Sequence, residues 1–77
     1  MDLKQILTDI ARAIVDSPDA VQVEEHVDGD DIGLVLTVSE DDTGMVIGRH
    51  GKIAKAIRTL MKAAATPEGK RITVEIK

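Results

Sequence analysis

Seventy-seven residues with a formal net charge of −4 make one small domain, which buries only about 60% of its unfolded surface and leaves no room for a large catalytic cleft between domains. The absence of cysteine excludes a disulfide framework and thiolate chemistry, and no apolar run reaches the ~18 residues of a membrane span. Phe, Trp and Tyr are missing too, so aromatic stacking of nucleobases is not available to any mechanism.

Leu3, Ile6, Leu7, Ile10 and Ile14 recur at helical spacing, and Asp2 with Gln5 has the form of a capping box, which predicts a helix over residues 2–16. Ser17 and Pro18 stop it, because the residue before a proline is driven out of the α region. Val21, Val23 and Val27 then share one phase of an extended segment, Asp28-Gly29-Asp30-Asp31 makes a turn, and Ile32, Leu34, Leu36 and Val38 alternate strictly. That pattern is a β-hairpin, with Glu25 marking an edge or a bulge in its first strand. Asp41, Asp42 and Thr43 offer N-caps for a short helix over 44–47. A longer helix follows Gly51, with Ile53, Ile57, Leu60 and Ala64 as its apolar face. Beside that face Ala54, Met61 and Ala65 suit either the close approach of a second helix or plain exposure as helix formers. Thr66-Pro67-Glu68-Gly69 is a turn, and Ile72, Val74 and Ile76 give a last strand.

The order is therefore α-β-β-α-α-β, an α+β class. The hairpin pairs antiparallel, while a crossover through two helices favours a parallel pairing of the second and last strands. A three-stranded mixed sheet covered on one face by helices follows.

Between the short and the long helix lies Gly48-Arg49-His50-Gly51. Two glycines three apart remove the Cβ atoms that would collide with a sugar-phosphate chain, and either can take the positive φ of a tight inter-helix turn. The second stands where a helix begins, so free N–H groups and the positive end of the helix dipole favour phosphate oxygens. Arg49 and Lys52 add positive charge, and His50 adds a hydrogen-bond donor. Gly-x-x-Gly alone is a weak pattern, and the bland alternative is a turn that uses glycine for conformation only.

Charge partition strengthens the phosphate reading. Residues 1–43 carry twelve Asp and Glu against Lys4 and Arg12, a balance of −10. Residues 44–77 carry eight Lys and Arg against Glu68 and Glu75, a balance of +6, and the local field decides what a site attracts. On a helical wheel Lys52, Lys55, Arg58, Thr59 and Lys62 fall within an arc of roughly 120° that begins at the loop. Val46, Ile47 and Ile53 are the candidates for an aliphatic wall against which bases turn, each able to serve the core as well.

The string VIGRHGKIAKAIR, placed between two strands and preceded by an extra helix and strand, resembles the KH signature in its type II arrangement. One such domain accounts for residues 1–77, and the size resembles the small stand-alone bacterial KH proteins of the KhpA type. The resemblance implies a cytoplasmic protein that binds single-stranded RNA at Gly48, Arg49, His50 and Gly51 with the basic helix, spanning about four nucleotides. It also implies an RNA chaperone that forms a homodimer or a heterodimer with a KhpB-type KH protein and is linked to cell-wall homeostasis and cell shape. Many loops of the family are basic at both variable positions, and here the second is His50.

Other classes fit less well. His26 and His50 are the only imidazoles, and neither has a metal-ligand spacing or a nucleophile partner, so neither an enzyme nor a cofactor or small-molecule substrate is expected. The acidic runs 28–31 and 40–42 lack a calcium-loop pattern and read as a turn and a helix cap. The competitor is a protein-interaction module that keeps the KH fold without binding RNA. Its loop would be acidified or stripped of glycine.

Overall fold

A computed structural model describes residues 2–77. Helix α1 spans Leu3–Ile14, the hairpin strands β1 and β2 span Gln22–Asp28 and Asp31–Thr37, helices α2 and α3 span Thr43–Ile47 and Lys52–Ala65, and β3 spans Arg71–Ile76. Short 3₁₀ turns fill the connections at Pro18–Ala20, Glu40–Asp42, Arg49–Gly51 and Thr66–Glu68.

The Asp2 carboxylate accepts from the Gln5 N–H at 3.1 Å and caps α1, but Gln5 turns its amide to Asp9 instead of closing a reciprocal box. The helix ends at Ile14, two residues before the expected stop, because Val15 is already extended. Leu3, Leu7 and Ala11 are buried along its inner face, with Ile6, Ile10 and Ile14 half-buried on the flanks. The hairpin closes through a two-residue loop with Gly29 at φ 61, the pattern in which glycine takes the first loop position.

Strand order is β1-β2-β3, with β1–β2 antiparallel and β2–β3 parallel, as the connectivity requires. Ile32, Leu34 and Leu36 of β2 and Ile72 and Val74 of β3 face the helices and are buried with Leu7, Val46, Ile57 and Met61. Pairing along β1 runs without interruption from Gln22–Thr37 to Asp28–Asp31, so Glu25 marks an edge and not a bulge. Val27, on the same face as Val23, is 62% exposed at the open end of that edge.

Two expectations need correction. The inner face of α3 is Ala54, Ile57, Met61 and Ala65, rotated by about one residue from the expected one, so Ile53 and Leu60 are left 38% and 55% exposed. Apolar residues cover more than half of this helix, and small Ala54 and Ala65 let it lie close to its neighbours. Ala54, Met61 and Ala65 are therefore core and cannot meet a second helix. The Asp42 side chain makes no cap for α2; it is buried and accepts from the Ser17 N–H at 3.0 Å, fastening the segment after α1 to the start of α2.

The far end of α3 closes in a Schellman arrangement: Lys70 N–H to Ala65 O at 3.2 Å and Gly69 N–H to Thr66 O at 3.0 Å, with Gly69 at φ 70. This sets the angle at which β3 leaves α3 and so fixes the cleft between them.

Candidate nucleic-acid interface

The corner between α2 and α3 is built from three positive-φ residues within four positions. Gly48 has φ 75 and ψ 174, His50 has φ 58 and ψ 26, and Gly51 has φ 73 and ψ 14. Left-handed backbone at a non-glycine residue is uncommon, and histidine is among the types that accept it most readily. His50 thereby projects from the corner with Arg49, and both are exposed.

The two glycines do different work. A Cβ on Gly48 would stand 2.5 Å from Ile53 Cγ1 and 2.8 Å from Ile53 Cβ, so this glycine is demanded by packing inside the protein. A Cβ on Gly51 would meet nothing within 4 Å. The open ground of the loop therefore lies over Gly51, at the first turn of α3, and an incoming oxyanion can approach the backbone there. Not every N–H at this corner is free: Gly51 N–H already bonds Gly48 O at 3.2 Å and Lys52 N–H bonds Arg49 O. The positive potential of this corner thus comes from the helix dipole and from the Arg49 and Lys52 side chains more than from those two donors.

The basic stripe splits in two. Lys52 and Lys55 flank Ala56, Thr59 and Leu60 around a shallow, mostly apolar depression of about 490 Å³ on the outer face of α3. Arg58 and Lys62 turn instead to the cleft between α3 and β3. Arg58 Nε donates to Val74 O at 3.2 Å across that cleft. Lys62 borders two small cavities in it, one of about 230 Å³ with Arg58, Ile72, Thr73 and Val74, the other of about 220 Å³ with Thr66, Lys70, Arg71 and Ile72. No ion pair among the described residues holds Arg49, Lys52, Lys55 or Lys62.

The aliphatic wall is only partly where the sequence placed it. Val46 is fully buried and cannot reach a ligand, which corrects its assignment as a base contact: α2 is so short that its one inward position must fill the core. Ile47 and Ile53 are 39% and 38% exposed near the loop, and neither lines the α3–β3 cleft. The cleft is lined by Ile72, Thr73 and Val74, and Ile72 and Val74 serve the core as well. At its far end Lys70 pairs with Asp30 at 3.2 Å, and Arg71 pairs with Asp31 at 2.7 Å, so two of the eight cations of residues 44–77 are already partnered by the hairpin turn. A hint was present in the sequence, since two adjacent cations and two adjacent acids flank the strands that parallel pairing brings together.

The family model described as "KhpA/KhpB, KH domain" matches residues 4–76. The chain belongs to this KH-domain family. It is 54% identical over 74 residues to "RNA-binding protein KhpA" of Clostridium acetobutylicum, covering 96% of this chain and 99% of that one. A protein of the same description from Caldanaerobacter subterraneus subsp. tengcongensis is 51% identical over 72 residues, covering 94% and 96%, and one from Listeria monocytogenes is 36% identical over 74 residues, covering 96% and 97%. The KH fold, with its three helices and three-stranded mixed sheet, is the architecture described above. Members of this family are not enzymes, and among the described residues no group of three or more His, Cys, Asp or Glu could hold a metal ion, nor is any helix long and apolar enough to cross a membrane.

Proposed function

We propose that this chain is a single KH domain that binds single-stranded RNA, seating a phosphate over Gly51 and leading the strand toward the α3–β3 cleft. The observation that carries the reading is the left-handed Gly51 with open space where its Cβ would be, beside Arg49, His50 and Lys52. Relatives over nearly their whole length are described as RNA-binding. Arg58 and Lys62 extend the positive potential along the cleft, and Ile72, Thr73 and Val74 present an aliphatic edge to bases. Without aromatic platforms the site forgoes stacking of about 1 to 3 kcal/mol per base, so one domain binds weakly and with little base preference. Pairing with itself or with a KhpB-type KH protein raises the effective affinity. A role as an RNA chaperone in the cytoplasm, serving cell-wall homeostasis and cell shape, fits such weak and tolerant binding.

Gly51→Asp tests this directly. The Asp backbone tolerates left-handed φ at about 1 kcal/mol, and its carboxylate occupies the proposed seat. RNA affinity is expected to fall at least about tenfold while circular dichroism stays that of the parent, the size of a lost charge-assisted contact plus repulsion. Unchanged affinity in the folded variant would overturn the phosphate seat. In a salt titration, log affinity is expected to fall with slope about −0.7 per phosphate, for roughly two to four phosphates. Crosslinking in cells separates the rival adaptor, which recovers a protein partner and no RNA.

A further inference from the structure

The α3–β3 cleft does not end at Arg58. Its two cavities share Lys62 and Ile72, so one path runs from the space of about 230 Å³ beside Arg58, Thr73 and Val74 into the space of about 220 Å³ beside Thr66, Lys70 and Arg71. Lys62 stands ten residues after Lys52, about 15 Å along the axis of α3 from the loop. The turn after α3 doubles the chain back, so Lys70 and Arg71 at the start of β3 meet Lys62 near the end of the helix. Three cations thus gather at the far end of the cleft, and the Thr66 hydroxyl among them is spent on Lys62 O at 2.8 Å.

What distinguishes this end is its counter-charge. Lys70 Nζ lies 3.2 Å from Asp30 Oδ1. Arg71 Nε lies 2.7 Å from Asp31 Oδ1, and its Nη2 donates to Asp31 Oδ2 at 3.2 Å, the forked grip that arginine makes on a carboxylate or a phosphate. Backbone contacts hold the hairpin turn in this place: Arg71 N–H donates to Asp30 O at 2.9 Å, and Asp31 stands beside Arg71 in the parallel ladder. The two carboxylates are therefore tethered competitors for any other anion, present at high effective concentration. As stabilisers the pairs are weak, since the Asp30, Asp31 and Arg71 side chains are 72%, 57% and 81% exposed. Their consequence is for binding, because they stand where the oxyanions of a passing strand would be drawn.

We infer that Lys62, Lys70 and Arg71 form a second phosphate seat for single-stranded RNA, and that Asp30 and Asp31 keep it closed. The inference rests on the RNA-binding reading and adds a regulation to it: the acidic turn limits how much of a strand the domain grips. A strand that leaves the loop and passes Arg58 brings its next phosphates to the far cavity, meets Lys62, and finds the other two cations taken. Neutralising the turn opens the seat without moving it, because asparagine keeps the shape of aspartate and the backbone contacts do not involve the side chains.

The probe is oligouridylate of four and of eight nucleotides, titrated at low salt by fluorescence anisotropy. Asp30→Asn with Asp31→Asn is expected to raise affinity for the octamer about fourfold to tenfold over the parent, and for the tetramer less than about twofold. Comparing variant with parent at each length cancels the greater number of registers on the longer strand. In the variant the salt slope on the octamer is expected to steepen by about 0.7 for each phosphate gained. Adding Lys70→Gln and Arg71→Gln is expected to return the octamer to the parent's affinity, whereas the same two changes in the parent cost less than about twofold, a coupling that a thermodynamic cycle reads directly. Glu24→Gln with Glu25→Gln makes the same change of net charge on β1 and is expected to leave the dependence on length unaltered. An equal gain on both lengths, a length-dependent gain matched by the β1 control, or a Lys70 and Arg71 loss of the same size in both backgrounds overturns the inference. So does an octamer affinity that the asparagine pair leaves unchanged. Gly51→Asp measured alongside tells the two readings apart: tetramer affinity that survives it overturns the seat over Gly51, while the octamer's response to the asparagine pair still decides the far end.

Discussion

Along β3 a guanidinium from α3 reaches over and bonds the Val74 carbonyl, whereas along β1 no α1 side chain is bonded to the strand's outer backbone. The neighbours differ in charge as well. The β3 edge lies under Arg58 and Lys62, while β1 itself carries Glu24, Glu25 and Asp28. One sheet thus has a cationic cleft along one edge and an acidic, uncovered strand along the other. The comparison teaches that backbone topology makes two edges and the placement of a few charged side chains decides what each can accept.

The severest way to break the contrast is to disturb what both edges share. Met61→Asp places a charge in a fully buried position and is expected to cost at least about 4 kcal/mol, enough to unfold a domain this small and remove RNA binding and self-pairing together. Urea unfolding measures it. Gly48→Ala is expected to cost about 2 to 4 kcal/mol, from the Ile53 clash and a left-handed backbone. Adding Ile53→Ala should return part of that cost, a positive coupling in a double-mutant cycle; strict additivity would mean that the contact is not the cause.

Sharper probes act on one edge. Arg58→Leu removes a cation and exposes the Val74 carbonyl, and RNA affinity is expected to drop about threefold to tenfold with sedimentation unchanged. The smallest effect is expected from Asp31→Asn, which unpairs Arg71 at a cost below about 1 kcal/mol because the pair is exposed. RNA affinity should rise about twofold at low salt, and the gain should vanish as salt is raised.

Much of the fold was legible because periodicity carries it. The hairpin, the crossover and the last strand followed from alternation in Ile32 to Val38 and Ile72 to Ile76 and from the handedness of connections. The phase of α3 was not legible: Ile53, Leu60 and Ala64 satisfy helical spacing as well as Ala54, Met61 and Ala65 do, and only packing against β3 and α1 selects one set. Asp42 was misread for a similar reason. A cap and a long-range clasp need the same side chain, and nothing local says that Ser17 stands nearby. At the site, the loop's position and charge came from the sequence. The division of labour between its glycines did not, because it depends on where the Ile53 side chain lies relative to Gly48.

From residues alone came the element order, the bare-backbone corner and the gathering of cations in the latter part of the chain, since each is a local pattern or a count. Tertiary structure alone decided that Val46 is core, that Arg58 and Lys62 border a cleft while Lys52 and Lys55 do not, and that Lys70 and Arg71 are held by the hairpin turn. Burial and charge pairing are properties of neighbours in space, and residues forty apart in the chain become neighbours only when the strands have paired.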